Sequence, residues 1–270
     1  MKQKILMCAP DFFGVDYVIN PWMKDNRGKA DRPLAQKQWN NLREVLAKHV
    51  DIVLVEPQPG LPDLVFTANA GMVLGKKAVV SRFRSKERQG EEPFFHKAFV
   101  QAGFAIEAWP QDVFFEGAGD ALFNRAEPLI WSGFGFRSDE QSAALLERIF
   151  GQRTVALRLV DPRFYHLDTC LCPLTGGFLM YYPPAFDAAS QAKIADIIPP
   201  EKRITVAELD ALAFACNAVD LETRIVLNAA TPGLQEKLRD AGFATIQTPL
   251  SEFLKAGGTA KCLTLKLHES

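Results

Sequence analysis

The sequence predicts an α/β fold arranged as a pseudo-fivefold ring of ββαβ-type modules, and three observations carry that expectation. A polar residue, an apolar run, a turn and a second apolar run recur five times along the chain. The opening polar residues, Asn69, Glu116, His166, Asn217 and Cys262, are spaced by 47, 50, 51 and 45 positions. Helix-like segments separate the copies and lead toward short strands. A period of this size marks supersecondary units that bury their faces against neighbours, and five such units close most naturally into a ring.

Each element follows in order. The apolar runs 4–9 and 51–56 flank an amphipathic stretch at 34–48, predicting strand, helix, strand. This stretch is expected to complete the circle, because no strand follows the fifth module. The first hairpin is 66–74, a Gly75-Lys76-Lys77 turn and 78–80; the second is Phe115-Glu116-Gly117 with 120–123 and 129–131. The third runs through 166–172, turns near Gly176-Gly177 and returns as 178–182. The fourth is 215–219 with 224–227, and the fifth leads from Gly257-Gly258 into 260–267. Helices are expected at 91–102, 138–150, 186–197, 206–212 and 232–241, with strands at 154–160 and 244–248. An ordinary α/β or α+β chain with accidental spacing is the competing reading.

The 270 residues suit one domain, 1–270, because single cores stop growing near roughly 250–300 residues. Thirty-one Lys and Arg against 32 Asp and Glu leave a formal charge of −1, so a phosphate-neutralising surface is not expected and nucleic acid is excluded as a partner class. No window approaches the ~18 apolar residues of a membrane span, and the short run after Met1-Lys2-Gln3-Lys4 is too brief for a signal peptide. No membrane partner and a cytoplasmic location are therefore expected. Five cysteines at irregular spacing read as free thiols rather than a disulfide framework. Homo-oligomerisation stays open.

Chemistry concentrates at the module openings. In His166-Leu167-Asp168, residues i and i+2 of a strand share a face, so the carboxylate is expected beside an imidazole that gives and takes protons; a structural histidine is the alternative. His49, His96 and His268 open no module. Glu116 and Asp120 flank the Gly-rich step Gly117-Ala118-Gly119, where backbone approaches a ligand closely, and they are expected to hold a cation. A polar turn is the alternative there, as it is for Asp112. Cys262, just after Gly257-Gly258, is placed as a nucleophile, while Cys8, Cys170 and Cys216 read as core. Cys170 and Cys172 lack the second pair that a zinc site needs, so no metal is expected. With no GxGxxG, Walker loop or GxSxG, no cofactor is expected either. A thiol, an imidazole and carboxylates fit attack on a cationic carbon.

Four segments, Phe66-Thr67-Ala68-Asn69-Ala70, Phe115-Glu116-Gly117-Ala118-Gly119-Asp120, His166-Leu167-Asp168-Thr169 and Gly257-Gly258-Thr259-Ala260-Lys261-Cys262-Leu263-Thr264, together resemble the guanidino-group-modifying enzymes of the five-bladed β/α-propeller, or pentein, fold. That superfamily holds arginine deiminases, dimethylargininases, amidinotransferases and arginine dihydrolases. The resemblance implies a covalent thiouronium mechanism: Cys262 attacks the guanidinium carbon, and His166 protonates the departing amine and then activates water. Glu116 and Asp168 would hold the guanidinium, and cationic neighbours would lower the thiol's pKa.

Asn69 departs from the acid that deiminases commonly carry at this position and is similar to the dihydrolase branch. An amide donates as well as accepts hydrogen bonds, which suits a neutral ureido group and a second hydrolytic round. For the α-carboxylate of the substrate, Arg88 and Arg137 are the candidates, since guanidinium forks bind carboxylates bidentately; Asn20, in the loop 11–23, is expected to touch the substrate. The implied activity is hydrolysis of free arginine to ornithine, two ammonia and carbon dioxide. Deimination, dimethylarginine hydrolysis and amidino transfer are the alternatives, and a non-catalytic pentein is disfavoured by Cys262, His166 and Glu116 occurring together.

Overall fold

Among the described residues, five three-stranded sheets, each built around one antiparallel and one parallel strand pair, make up an α/β fold. The computed structural model describes residues 3–267; Met1, Lys2, His268, Glu269 and Ser270 lie outside them. Strand β1 (Lys4–Cys8) leads through helix α1 (Arg32–Ala47) to β2 (Asp51–Val55), which lies parallel to β1. Asp31 caps α1 by accepting from the Leu34 N–H at 2.9 Å, and Pro33 supplies a first-turn residue whose missing N–H costs nothing there.

The next modules repeat one plan, a hairpin whose second strand continues through a helix to a parallel third strand. First come β3 (Gly71–Leu74), β4 (Lys77–Val80), the short helix α2 (Lys86–Gln89), α3 (Glu92–Gln101) and β5 (Ala105–Ile106). They are followed by β6 (Ala121–Phe123), β7 (Leu129–Phe134), α4 (Gln141–Phe150) and β8 (Arg153–Arg158). In the third module β9 (Leu171–Leu174) and β10 (Phe178–Tyr181) connect through α5 (Ala188–Ile197) to β11 (Arg203–Thr205). After α6 (Glu208–Leu212), the fourth holds β12 (Val219–Leu221), β13 (Arg224–Leu227), α7 (Pro232–Asp240) and β14 (Ala244–Gln247).

The fifth sheet joins the two ends of the chain. Beyond α8 (Ser251–Leu254), strand β15 (Leu265–Lys266) pairs antiparallel with β1, giving the order β15-β1-β2. The N-terminal strands thus supply the partners that the last module lacked in sequence. Apolar faces meet between sheets: Trp131, Phe164 and Phe214 pack in one cluster, and Phe13, Trp39 and Phe253 in another. No helix among the described residues is long and apolar enough to cross a membrane.

One expectation fails in an informative way. The openings of the first and third hairpins are 3₁₀ turns, Thr67–Ala70 and Leu167–Thr169, and the runs expected at 215–219 and 260–267 likewise open on turns, with strand only from Val219 and at Leu265–Lys266. Every residue from His166 to Leu174 is buried, so no in–out alternation exists to favour a pleat. The tight turn satisfies its backbone locally instead, with the Cys170 N–H on the Leu167 carbonyl at 3.1 Å and the Thr169 hydroxyl on the His166 carbonyl at 2.6 Å.

Candidate active site

The turns that open the modules are hydrogen-bonded in succession, which brings their polar residues together. Asn69 Nδ2 donates to the Glu116 carbonyl at 3.1 Å, and the Leu167 N–H to Asp120 Oδ1 at 3.0 Å. Asn217 Nδ2 donates to the Asp168 carbonyl at 3.1 Å, and the Lys261 N–H to the Asn217 carbonyl at 3.1 Å. The Ala68 N–H then donates to the Cys262 carbonyl at 3.0 Å, returning to the first module. The Gly-rich step of the second module serves this contact rather than a ligand. A Cβ on Gly119 would sit 2.2 Å from Asn69 Nδ2, and one on Gly117, whose φ is +63°, would sit 2.7 Å from the Gly71 nitrogen.

A cavity of about 260 Å³ is lined by Asn20, Asp63, Asn69, Arg88, Arg137, Tyr165, His166 and Cys262, together with Ile19, Met23, Phe66 and residues 256–258. A larger one, about 600 Å³, lies among Met72, Leu122, Leu171 and Val219 and contains none of the expected catalytic side chains.

His166 does not pair with Asp168. The intervening 3₁₀ turn separates the two side chains, and His166 Nε2 lies instead 2.7 Å from Glu116 Oε2. Burial works against a charge on Glu116, but Arg137, 3.1 Å from the same oxygen, and His166 outweigh it and hold the carboxyl well below the usual range. Glu116 therefore stands ionised behind the imidazole and outside the cavity lining.

Asp168 faces the thiol: its carboxylate oxygens lie 3.5 and 3.7 Å from Cys262 Sγ. Burial pushes the Asp168 carboxyl up to about 7, against the opposing pull of Lys261, Cys262 and Asn217. The Cys262 thiol is likewise raised, first by burial and then by Asp168. That corrects the expectation of a thiol lowered by cationic neighbours, since a carboxylate is the nearest charge. Asn217, which no motif singled out as a site residue, clamps the nucleophile: Nδ2 donates to Sγ at 3.1 Å, and Oδ1 accepts from the Cys262 and Thr259 N–H groups at 3.1 and 3.0 Å. Its only signal in the sequence was that it opens the fourth module.

The remaining candidates divide. Arg137 lines the cavity, stacks over the Tyr165 ring at 4.7 Å and donates to the Ile19 carbonyl at 2.9 Å. Arg88 also lines it, with its guanidinium already forked onto Glu91. Asn20 enters through the loop, its oxygen capping the turn Pro21–Met23 and its Nδ2 donating to the Ala256 carbonyl at 3.0 Å. Asp120 does not line the cavity; its carboxylate braces turns, accepting from the Ser138 hydroxyl at 2.6 Å and the Leu167 N–H at 3.0 Å. Asp112 is exposed in a surface turn. Asp63 was not expected: buried at the cavity wall, it accepts from the Tyr17 hydroxyl at 2.9 Å. All five cysteines are buried and free.

A thiol, an imidazole–carboxylate pair and a fixed amide at one cavity define a protein equipped for nucleophilic and acid–base chemistry on a small molecule. The chain belongs to the dimethylarginine dimethylaminohydrolase family of the pentein superfamily: the family model for eukaryotic N,N dimethylarginine dimethylhydrolase matches residues 13–269. It is 55% identical over 266 residues to the bifunctional arginine dihydrolase/ornithine cyclodeaminase ArgZ of Synechocystis sp., covering 98% of this chain and 38% of that protein. It thus spans about two-fifths of the length of that relative. With the N(G),N(G)-dimethylarginine dimethylaminohydrolase of Mycobacterium tuberculosis it shares 41% identity, covering 98% of this chain and 86% of the relative. The crystal structure of the ArgZ N-terminal domain superposes with a TM-score of 0.98 at 54% identity, over 99% of this chain and 98% of that one. That domain has been solved as a cysteine-to-serine variant bound to substrate and as an asparagine-to-serine variant covalently bonded to a reaction intermediate.

Proposed function

We propose that this chain is an arginine dihydrolase, converting free L-arginine and two waters to ornithine, two ammonia and carbon dioxide. The observation that carries the reading is the shared cavity of Cys262, His166 and Asn69, with Glu116 fixing the imidazole from behind. In support, the altered cysteine and asparagine of the ArgZ domain stand as far apart in its sequence as Cys262 and Asn69 do here.

In the first round Cys262 passes its thiol proton to Asp168 as the sulfur bonds to the guanidinium carbon, and ammonia leaves with a proton from His166. Water, deprotonated by His166, then adds to the thiouronium carbon, and the carbon–sulfur bond breaks to give citrulline. In the second round the sulfur attacks the ureido carbon and a second ammonia leaves. Hydrolysis of the thiocarbamate gives a carbamate that loses carbon dioxide. In the first round the cationic substrate beside the resting thiol, itself raised by burial and Asp168, favours its ionisation; in the second, where the ureido group is neutral, Asp168 takes the thiol proton as the sulfur attacks. Arg88 and Arg137 are the candidates for the substrate carboxylate, and Asn20 and Asp63 line the same cavity.

The five sheets and the closed run of hydrogen bonds between module openings support a five-bladed β/α-propeller formed by one domain, and the reduced cysteines support a cytoplasmic setting. Dimethylarginine hydrolysis is the second reading, favoured by the family model and the mycobacterial relative. Product analysis by mass spectrometry after incubation with arginine, citrulline and asymmetric dimethylarginine separates the two. Ornithine with two ammonia per arginine is expected; turnover of the methylated substrate alone would make the chain a dimethylargininase.

A further inference from the structure

Glu91 is fully buried beside Arg88 and does not line the cavity. Its two oxygens take one edge of the Arg88 guanidinium, Nε at 2.8 Å and Nη2 at 2.7 Å. The opposite edge donates from Nη1 to Asn69 Oδ1 at 2.8 Å, and Asn69 Nδ2 donates to the Glu116 carbonyl at 3.1 Å. A guanidinium has donors only, so the amide oxygen of Asn69 must face Arg88 and its nitrogen must face away. One Nδ2 hydrogen is spent on Glu116, and one is left for the cavity that Asn69 lines.

We infer that Glu91 is a positioning residue for the second hydrolytic round: by pinning Arg88 it fixes the orientation of the Asn69 amide, whose free N–H then meets the neutral ureido oxygen. This rests on the dihydrolase reading above and extends it to a residue that touches no substrate. A bidentate carboxylate both locks the guanidinium plane and balances its charge. Without it, Arg88 keeps Asp63 beside it, the carboxylate 4.0 Å from Nε and the carbonyl accepting from Nη2 at 3.2 Å; the guanidinium turns that way and releases Asn69 Oδ1. A guanidinium substrate is bound by charge and tolerates a loose amide. Citrulline has no charge on its ureido group and depends on that single donor.

The test is Glu91→Gln, with kcat and KM measured separately for arginine consumption and for citrulline consumption, and the ornithine to citrulline ratio followed from arginine. The citrulline step is expected to slow at least tenfold more than the arginine step, so that citrulline accumulates. Equal rises in KM for both substrates with an unchanged product ratio would show that Glu91 only supports a carboxylate site, and would overturn the inference. In an Asn69→Ala background, Glu91→Gln is expected to leave the product ratio where Asn69→Ala puts it; a further independent shift would also overturn it. Should Glu91→Gln fail to fold, Glu91→Asp, which keeps the charge but shortens the reach, carries the same comparison. Wild-type protein that makes no ornithine at all would instead remove the dihydrolase reading itself, and this inference with it.

Discussion

His166 Nε2 lies 2.7 Å from Glu116 Oε2, a residue fifty positions earlier, while Asp168, two positions later, turns its carboxylate to Cys262. The two acids therefore do different work. Glu116, held ionised by Arg137 and His166, orients the imidazole from behind the cavity, the place of a partner for a proton-transferring histidine. Asp168 sits where it can accept or return the thiol proton.

Glu116→Gln keeps the shape and removes the charge. Turnover of arginine is expected to fall about 10²–10⁴-fold, the usual worth of positioned general acid–base groups, and stability to fall by roughly 3–5 kcal/mol because Arg137 is left buried without its anion. Initial rates and urea unfolding measure both. A variant within threefold of wild-type turnover would detach Glu116 from the chemistry.

Replacing the nucleophile is the more direct challenge. Cys262→Ala is expected to abolish turnover of arginine while leaving arginine binding measurable by calorimetry, since the carboxylate end of the cavity is untouched. Intact-protein mass spectrometry of Asn69→Ser after arginine addition should show a covalent mass increase that the Cys262→Ala background lacks. Full turnover by Cys262→Ala would end the assignment.

Much of this arrangement is readable from residues alone, and the failures have physical reasons. The repeat spacing located all five sheets, because each hairpin buries two short apolar runs around a turn, a pattern that survives in one dimension. It also led to Cys262, Glu116 and His166. What could not be read is pairing across modules. His166 and Asp168 look adjacent under strand periodicity, but a 3₁₀ turn breaks that periodicity, and nothing local in His166-Leu167-Asp168-Thr169 reports that both faces are buried. Arg88 was legible as a cavity cation, yet its fork onto Glu91 depends on how α2 meets the start of α3. Asn217 carried a positional signal but no chemical one, since an amide becomes a clamp only when a loop from the next module folds over it.

Asn69→Asp tests the amide in a different way from Glu91→Gln. An aspartate there has no N–H for the Glu116 carbonyl or for a ureido oxygen, and gains a charge that pairs with Arg88. The product is expected to shift from ornithine toward citrulline, read by mass spectrometry after complete consumption of arginine. Unchanged ornithine output would take Asn69 out of the second round.

The Asp168 carboxyl, raised to about 7 by burial, makes a pH-dependent prediction with a definite sign. A carboxyl whose folded pKa exceeds its unfolded value of about 3.9 binds its proton more tightly in the native state. Its contribution favours folding below about pH 4 and is lost as pH rises through 7. Asp168→Asn removes that loss. Glu91 and Asp120, pushed up in the same direction by burial to about 7 and about 6, stay in both proteins and cancel in the comparison. Urea unfolding of the two proteins at pH 5 and pH 8.5 should therefore show the variant gaining relative stability at the higher pH, by roughly 2–3 kcal/mol of the about 4 that a shift of roughly three units is worth, the rest being already lost by pH 5. Arginine turnover of the variant should be lost at both values. A stability difference that is the same at pH 5 and pH 8.5 would mean that Asp168 titrates as an ordinary carboxylate, and that the thiol it faces has a permanent anion for a neighbour.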